Sequence, residues 1–186
     1  MPLNDPSHMI LEAKRLVESD RRSEIRLNAN GGNSILIICD PKKEVEYIDK
    51  IMELLTIDKF SIIDLNKCLI NFVSSNKAEL NEWFDQLQSN TNQIFKVAEN
   101  DQSPDLFKEI IDQIDKSLKS NKTPVLINTG SLYGTGIHNI HIMENEIVMK
   151  AALPLIILYP ATIEPDRIMF LGKQPASKYR CMILHN

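Results

Sequence analysis

Short apolar runs alternate along the chain with segments of helical periodicity, and this alternation predicts an α/β fold. Each run is bounded by Gly, Pro, Asn, Asp or Ser, as is typical of strands buried on both faces. The four runs are SILIIC (34–39), FSIIDL (60–65), VLIN (125–128) and LIILY (155–159). Because helical segments separate them, we expect a mostly parallel central sheet with helices on both faces.

The segments between these strands carry apolar residues at spacings of three and four, which predicts amphipathic helices. We expect them over residues 9–19, 41–56 and 103–120, and as two pieces within 66–95 that break near 74–76. The polar stretches 20–24 and 28–33 are interpreted as a helix end and a loop. A helical or irregular piece is expected over 137–149.

Two further strands are predicted near the end of the chain, Arg167–Leu171 and Tyr179–Leu184. Too few residues separate them for a crossover helix, so they are expected to form an antiparallel edge of the sheet. At 186 residues one domain is the default. We divide the chain into an N-terminal helix and loop, residues 1–33, and an α/β domain, residues 34–186.

Composition and charge narrow the class of protein. The three cysteines are widely separated and lack metal-ligand spacing, so they are interpreted as buried thiols in a reducing compartment. No secretory signal and no run of about 18 apolar residues is present, which favours a cytoplasmic protein without a membrane span. The formal charge of −4 divides into −6 over residues 40–120 and +2 over 121–186. This balance excludes a broadly basic nucleic-acid-binding surface.

Ligands of open α/β sheets bind at the carboxyl ends of the strands, so the residues at those corners are the first candidates. Asp40 follows the first strand and Asp64 ends the second. Both carboxylates can cap a helix, which is the favoured interpretation, and together they could act as general acid and base if their strands were neighbours. The corner after Asp40 lacks the glycines, lysine and hydroxyl of a phosphate-binding loop.

A glycine-rich segment, Thr129–Gly136, follows the third predicted strand and could form a backbone concavity. It does not match the GxGxxG dinucleotide pattern. It does not match GxSxG either, because Ser131 is the second and not the central residue of Gly130–Gly134. A mobile or partner-facing turn is the favoured interpretation. The candidate binding surface comprises Asp40, Asp64, Thr129, Gly130, Ser131, Tyr133, His138 and His141.

His138 and His141 are three residues apart, and Glu144 and Glu146 follow them. On a helix the next residue of the same face is Asn145, so the set lacks the spacing of a zinc motif such as HExxH. Solvated or interface histidines are favoured over a metal site. We predict no catalytic set, no metal and no cofactor.

Four segments, in this order, resemble the BrxB family of bacteriophage-exclusion (BREX) defence systems. They are SILIICDPKKEVEYIDKIMELL, FSIIDLNKCLINFV, TPVLINTGSLYGTGIHNIHIMENEI and LPLIILYPATIEPDRIMFLGK with ASKYRCMIL. The shared features are a strand ending in Asp-Pro, a Gly-Ser-Leu-Tyr turn and a strand ending in Tyr-Pro. The resemblance covers about residues 34–184 and is strongest after Pro124. Two positions depart from it: Gly134 stands where proline is expected and Ala161 where glycine is expected.

The resemblance implies a non-catalytic adaptor or assembly component of an anti-phage defence complex. Its implied partner is an alkaline-phosphatase-like PglZ protein, beside a large ATPase and a DNA methyltransferase, so contact with nucleic acid would be indirect. The expected contact surface is the 129–141 segment or the acidic helical middle. The alternative is an enzyme or nucleotide-binding α/β protein that uses the loops near Asp40, Asp64 and Thr129–His141. Direct nucleic-acid binding ranks third.

Overall fold

Seven strands form the sheet at the centre of the protein. The computed structural model describes residues 5–19, 22–87, 91–97, 103–176 and 180–185. The strands are β1 Ser34–Cys39, β2 Phe60–Asp64, β3 Thr123–Ile127, β4 Leu155–Glu164, β5 Arg167–Phe170, β6 Gln174–Pro175 and β7 Met182–Leu184. The order β2-β3-β4-β1-β7 is parallel throughout, and β5 and β6 extend from β4 as an antiparallel edge. The predicted fold class is confirmed.

Helices cover both faces of the sheet. They are α1 Pro6–Glu18, α2 Arg22–Asn28, α3 Glu44–Leu54, α4 Leu65–Ser75, α5 Lys77–Leu87, α6 Leu106–Lys119, α7 Asn139–Met143 and α8 Glu146–Lys150. Helices α1–α3 pack on one face and α4–α8 on the other. Short 3-10 turns occupy Pro41–Lys43, Thr91–Ile94 and Thr129–Leu132. In the described ranges, no helix is both long enough and apolar enough to cross a lipid bilayer.

The interior strand β1, between β4 and β7, is buried along its whole length. Ile35 and Ile37 point into the core beneath α1–α3, whereas Leu36 and Ile38 point into the core beneath α4–α8. Each such aliphatic side chain contributes about 1.5–3 kcal/mol on burial. A strand that must fill two cores reads as an uninterrupted apolar run, which explains why the sequence predicts it well.

The N-terminal helix, which the sequence analysis assigns to a region separate from the α/β domain, contributes to one of the two cores. Ile10 and Leu16 of α1 lie in the same core as Ile35 and Ile37 of β1, so the N-terminal helix packs directly on the α/β domain. The three cysteines are free, buried thiols, as predicted.

Helix α2 begins at Arg22, within the stretch 20–24 that was predicted to be a helix end, so that part of the prediction was wrong, whereas residues 29–33 form the predicted loop. Ile25 and Ala29 are both buried, and they lie one helical turn apart. Two apolar positions in so short a segment give too little periodicity to indicate a helix. The helix is stabilised by its packing against β1 and β7, which the local sequence pattern does not reveal.

The last strand forms within its predicted range, at Met182–Leu184, but its pairing was predicted wrongly. β7 pairs parallel with β1, with Ile35 opposite Met182, and does not pair with β5. The antiparallel partner of β5 is β4, which continues past Pro160 to Glu164 and reverses through a two-residue turn. An antiparallel edge therefore forms as predicted, but it consists of β4, β5 and β6, and β7 lies at the other side of the sheet. Tyr179, the first residue of the predicted strand, lies outside the described residues.

Asn33 ties the start of β1 to the connection that leads into β4. Its buried side-chain Nδ2 donates to the carbonyl oxygens of Val148, Ala151 and Leu153 at 2.9, 3.0 and 3.0 Å. Its own carbonyl oxygen accepts from Leu155 N at 3.0 Å. One side chain therefore sets the point at which the β1–β4 pairing begins.

We expect Asn33→Ala to lower the free energy of unfolding by about 1–3 kcal/mol, because the connection into β4 loses the three hydrogen bonds of this buried side chain, although Ala151 O keeps Arg26 Nη2 as a donor and Val148 O keeps Ala151 N. Urea denaturation measures the change. Asn28→Ala is the matched control, since the Asn28 side chain makes one exposed hydrogen bond within its own helix. Equal midpoints for the two variants would contradict the role assigned to Asn33.

Candidate functional site

The carboxyl ends of β2 and β3 are joined through the side chain of Asp64. Its Oδ1 accepts from the backbone N–H groups of Asn66 and Lys67 at 3.0 and 3.3 Å, and from Asn128 Nδ2 at 2.9 Å. Ser131 Oγ lies 3.4 Å from Asn66 Oδ1 and donates to it. Asp64 therefore caps α4, as favoured from the sequence, and also fixes the turn after β3.

The turn after β3 begins with an unusual backbone conformation. Asn128 has a φ of 56°, in the left-handed region that asparagine tolerates better than most residues. Thr129 is fully buried, and its Oγ1 donates to Leu158 O of β4 at 2.8 Å. Thr129 is therefore a structural link between two strands, which removes it from the predicted binding surface. Gly130 packs against Leu171, where a Cβ would lie 3.3 Å from a leucine methyl.

Hydrogen bonds and buried side chains hold the rest of this segment. Thr135 Oγ1 donates to Leu132 O at 2.7 Å and accepts from Ile137 N at 3.2 Å. Leu132 and Ile137 are buried in the core. Between these anchors Tyr133 is 51% exposed, and Gly134 follows it with a φ of 86°. The turn thus presents one aromatic side chain to solvent from an anchored backbone.

A hollow of about 400 Å³ lies beside Tyr133. Tyr159 and Phe170 form part of its lining, with their rings stacked at 4.8 Å between centroids. His138 and Asn139 also line it, and Asn139 is only 3% exposed. Asn139 Oδ1 has no hydrogen-bond partner in the part of the chain that the structure describes. The hollow is therefore lined partly by aromatic rings, and one of its lining residues carries a buried acceptor without a partner among the described residues.

The two candidate histidines contact each other at the start of α7. His138 N donates to His141 Nδ1 at 3.2 Å, and the ring centroids are 5.2 Å apart. Burial lowers the pKa of His141, and the positive charges of Lys96 and His138 act in the same direction. A neutral His141 is the form that accepts this bond. Over the described ranges, no group of three His, Cys, Asp or Glu side chains could hold a metal ion.

Asp40 lies apart from the other candidates. Its Oδ1 accepts from Lys42 N at 2.9 Å and so caps the 3-10 turn that precedes α3. Strands β4 and β3 stand between β1 and β2, which separates their ends by about 14 Å at ordinary strand spacing. The condition for an acid–base pair of Asp40 and Asp64 is therefore not met. Asp40 lines its own hollow of about 360 Å³, with Lys43, Tyr47 and His185.

Several residues of these sites were not among the sequence candidates. Asn128 had a usable signal, since it follows a buried strand directly. No sequence pattern marked Tyr159, because it stands at the end of an apolar run. No pattern marked Asn139 either, because it lies in an ordinary polar stretch. Glu44 looked like a normal first-turn residue of a helix, yet its Oε1 is buried without a hydrogen-bond partner among the described residues.

Comparison of the chain with protein-family models, with curated proteins and with solved structures gives no match. What supports a function is therefore the geometry at the strand ends. There the carboxylate of Asp64 is engaged in a helix cap and a strand link, whereas Tyr133 is open to solvent.

We expect Asp64→Ala to lower the free energy of unfolding by about 1–2 kcal/mol, because α4 loses its cap and Asn128 loses its acceptor. Asp112→Ala, at an exposed position of α6, is the matched control. Thermal and urea denaturation measure both. If the two variants unfold alike, Asp64 does not hold the two strand ends together.

Burial raises the pKa of the Glu44 carboxyl. The native state therefore keeps this proton to a higher pH than the unfolded chain does, and stability falls as pH rises through the interval between the two pKa values. We expect Glu44→Gln to be more stable than the wild type at neutral pH, with the difference shrinking in acid. Urea denaturation over a pH series measures this. Glu46→Gln, exposed in the same helical turn, controls for the helix dipole; identical pH profiles for the two variants would refute the effect.

Proposed function

We propose that this protein is a non-catalytic adaptor of a BREX-type anti-phage defence complex in the cytoplasm, and that it binds a PglZ-like protein. Two kinds of support lead to this proposal. The order of motifs from SILIICDP to the Tyr-Arg pair at 179–180 resembles the BrxB family. The observation that carries the proposal is Tyr133, presented at 51% exposure from an anchored turn.

An exposed tyrosine on a held backbone suits a protein interface. Tyrosine is among the residues that contribute most to binding at protein interfaces, because it buries a large ring and can still hydrogen-bond through its hydroxyl. The bonds made by Thr135, together with buried Leu132 and Ile137, order the turn before any partner arrives. Less conformational entropy is then lost on binding.

The neighbouring hollow adds a complementary feature. A side chain of the partner that enters it would meet the stacked rings of Tyr159 and Phe170, next to the Tyr133 turn. With an exposed aromatic side chain next to a recess, each protein can insert a side chain into a pocket of the other. The hydrogen bonds from Asn128 to Asp64 and from Ser131 to Asn66 hold the start of the same turn in place.

A second candidate function is the binding of a small molecule in the same hollow. The observation that favours it is the lining residue Asn139, whose buried Oδ1 has no hydrogen-bond partner among the described residues. Thermal-shift screening with nucleotides addresses this directly. A ligand at 100 times its dissociation constant would raise stability by about 2.7 kcal/mol.

We expect Tyr133→Ala to weaken the complex with the PglZ-like protein about tenfold or more, since truncation of a central aromatic commonly has this effect. Co-purification on a sizing column and titration calorimetry measure it. Ile57→Ala is the matched control, because Ile57 is 85% exposed but precedes β2, at the opposite end of the strands.

Two further results bear on the same interface. Tyr133→Phe should retain most of the affinity if the ring carries the contact, and lose it if the hydroxyl does. No complex of the wild-type protein at micromolar concentrations would overturn the adaptor proposal. An equal loss for Ile57→Ala and Tyr133→Ala would overturn the assignment of the contact to the Tyr133 turn.

A further inference from the structure

Strand β2 forms an open edge of the sheet. Among the described residues it pairs only with β3. Thr123 N of β3 donates to Lys59 O at 2.8 Å, so the carbonyl of Lys59 points toward β3. Backbone groups alternate along a strand, and those of Ser61 and Ile63 therefore face β3 as well. The N–H and C=O of Ile62 consequently point out of the sheet.

Two recesses flank this edge, and Ile62 and Ile63 line both. The larger, of about 430 Å³, is bounded by Lys116 and Ser117 of α6 and by Lys122. The smaller, of about 290 Å³, reaches Met52 of α3, the charged side chains of Asp64 and Lys67 at the start of α4, and Gln113 of α6. An added strand would place alternate side chains on the two sides of the sheet, one row toward α6 and the other toward α3.

The two sides differ in charge and polarity. The recess beside α6 contains Lys116 and Lys122 and no acidic residue. Neither lysine makes an ion pair within the described ranges, whereas Lys119 on the same helix pairs with Asp115. On the α3 side, Met52 is exposed and Ile62 is partly buried. A protein with a net charge of −4 thus carries a local cationic recess next to unpaired backbone groups.

A second copy of this chain is a poor occupant of the edge. Two copies joined antiparallel through β2 would place both α6 helices on the same side of the joined sheet. Lys116 and Lys122 of each copy would then face those of the other, and like charges oppose association. These lysines therefore disfavour self-pairing.

We propose that the open edge of β2 binds an extended acidic segment of a partner protein by strand addition. Acidic side chains of that segment face Lys116 and Lys122, and alternate apolar side chains face Met52 and Ile62. Ile62 N–H donates to, and Ile62 C=O accepts from, the added backbone. This surface is separate from the Tyr133 turn and goes beyond the proposed adaptor contact.

Labelled peptides of about ten residues test the proposal by fluorescence anisotropy. All carry Val, Ile or Thr at alternate positions, and Glu, Gln or Lys between them. We expect the Glu peptide to bind about tenfold more tightly than the Gln peptide, with the difference reduced by salt. We expect the Lys peptide not to bind. No binding of the Glu peptide at millimolar concentration would overturn the proposal, as would equal binding of oligodeoxythymidylate with the same charge.

Charge-reversal variants test the site itself. Lys116→Glu/Lys122→Glu should weaken binding of the Glu peptide about tenfold or more, whereas Lys108→Glu/Lys173→Glu, with the same change in net charge at other exposed positions, should not. Circular dichroism checks that both fold. If the first variant self-associates and still binds the peptide, the lysines only protect the edge and the proposal fails.

Backbone pairing has its own readout. Two N-methylated Glu peptides, blocked at the odd or at the even positions, remove amide protons from opposite edges of the added strand. We expect one to lose binding and the other to keep it, and we expect the Glu peptide to slow hydrogen exchange at Ile62. Equal behaviour of the two methylated peptides would overturn strand addition. Tyr133→Ala should bind the Glu peptide normally, so failure here is distinguishable from failure of the adaptor contact.

Discussion

The parallel pairing of β1 with β4 is the interaction on which the rest of the structure depends. Six consecutive residue pairs, from Ser34–Leu155 to Cys39–Pro160, join the two strands. β1 carries β7 on its other side, and β4 carries β3 and, beyond it, β2. Both strands are buried among apolar side chains, where unpaired backbone groups would be costly. Each half of the sheet therefore requires the other.

Much of this architecture could be predicted from the sequence because it depends on the pattern of apolar and polar residues within short segments. A strand that fills two cores is a continuous apolar run, as in β1, and a helix that covers one core has apolar residues at spacings of three and four, as in α6. The caps at Asp40 and Asp64 are local too, since each carboxylate bonds backbone N–H groups two or three residues ahead.

What could not be predicted depends on contacts between distant segments. Strand order decides that Asp40 and Asp64 lie apart, and no pattern within either segment encodes that order. The same holds for the parallel alignment of β7 with β1 and for the burial of Thr129 against β4. The candidate site was therefore predicted as a set of residue types and corners. Tertiary packing divided it into an internal part around Asp64, an exposed part around Tyr133 and a separate hollow at Asp40.

The long interval in the chain between β1 and β4 has a consequence during synthesis. β1 ends at Cys39 and β4 begins at Leu155. At about 5–20 residues per second, the ribosome needs on the order of ten seconds to cover that interval. For that time one of the most apolar segments of the protein is outside the ribosome without the strand that shields it. Slow translation between these strands would lengthen the time for which this apolar segment is open to aggregation.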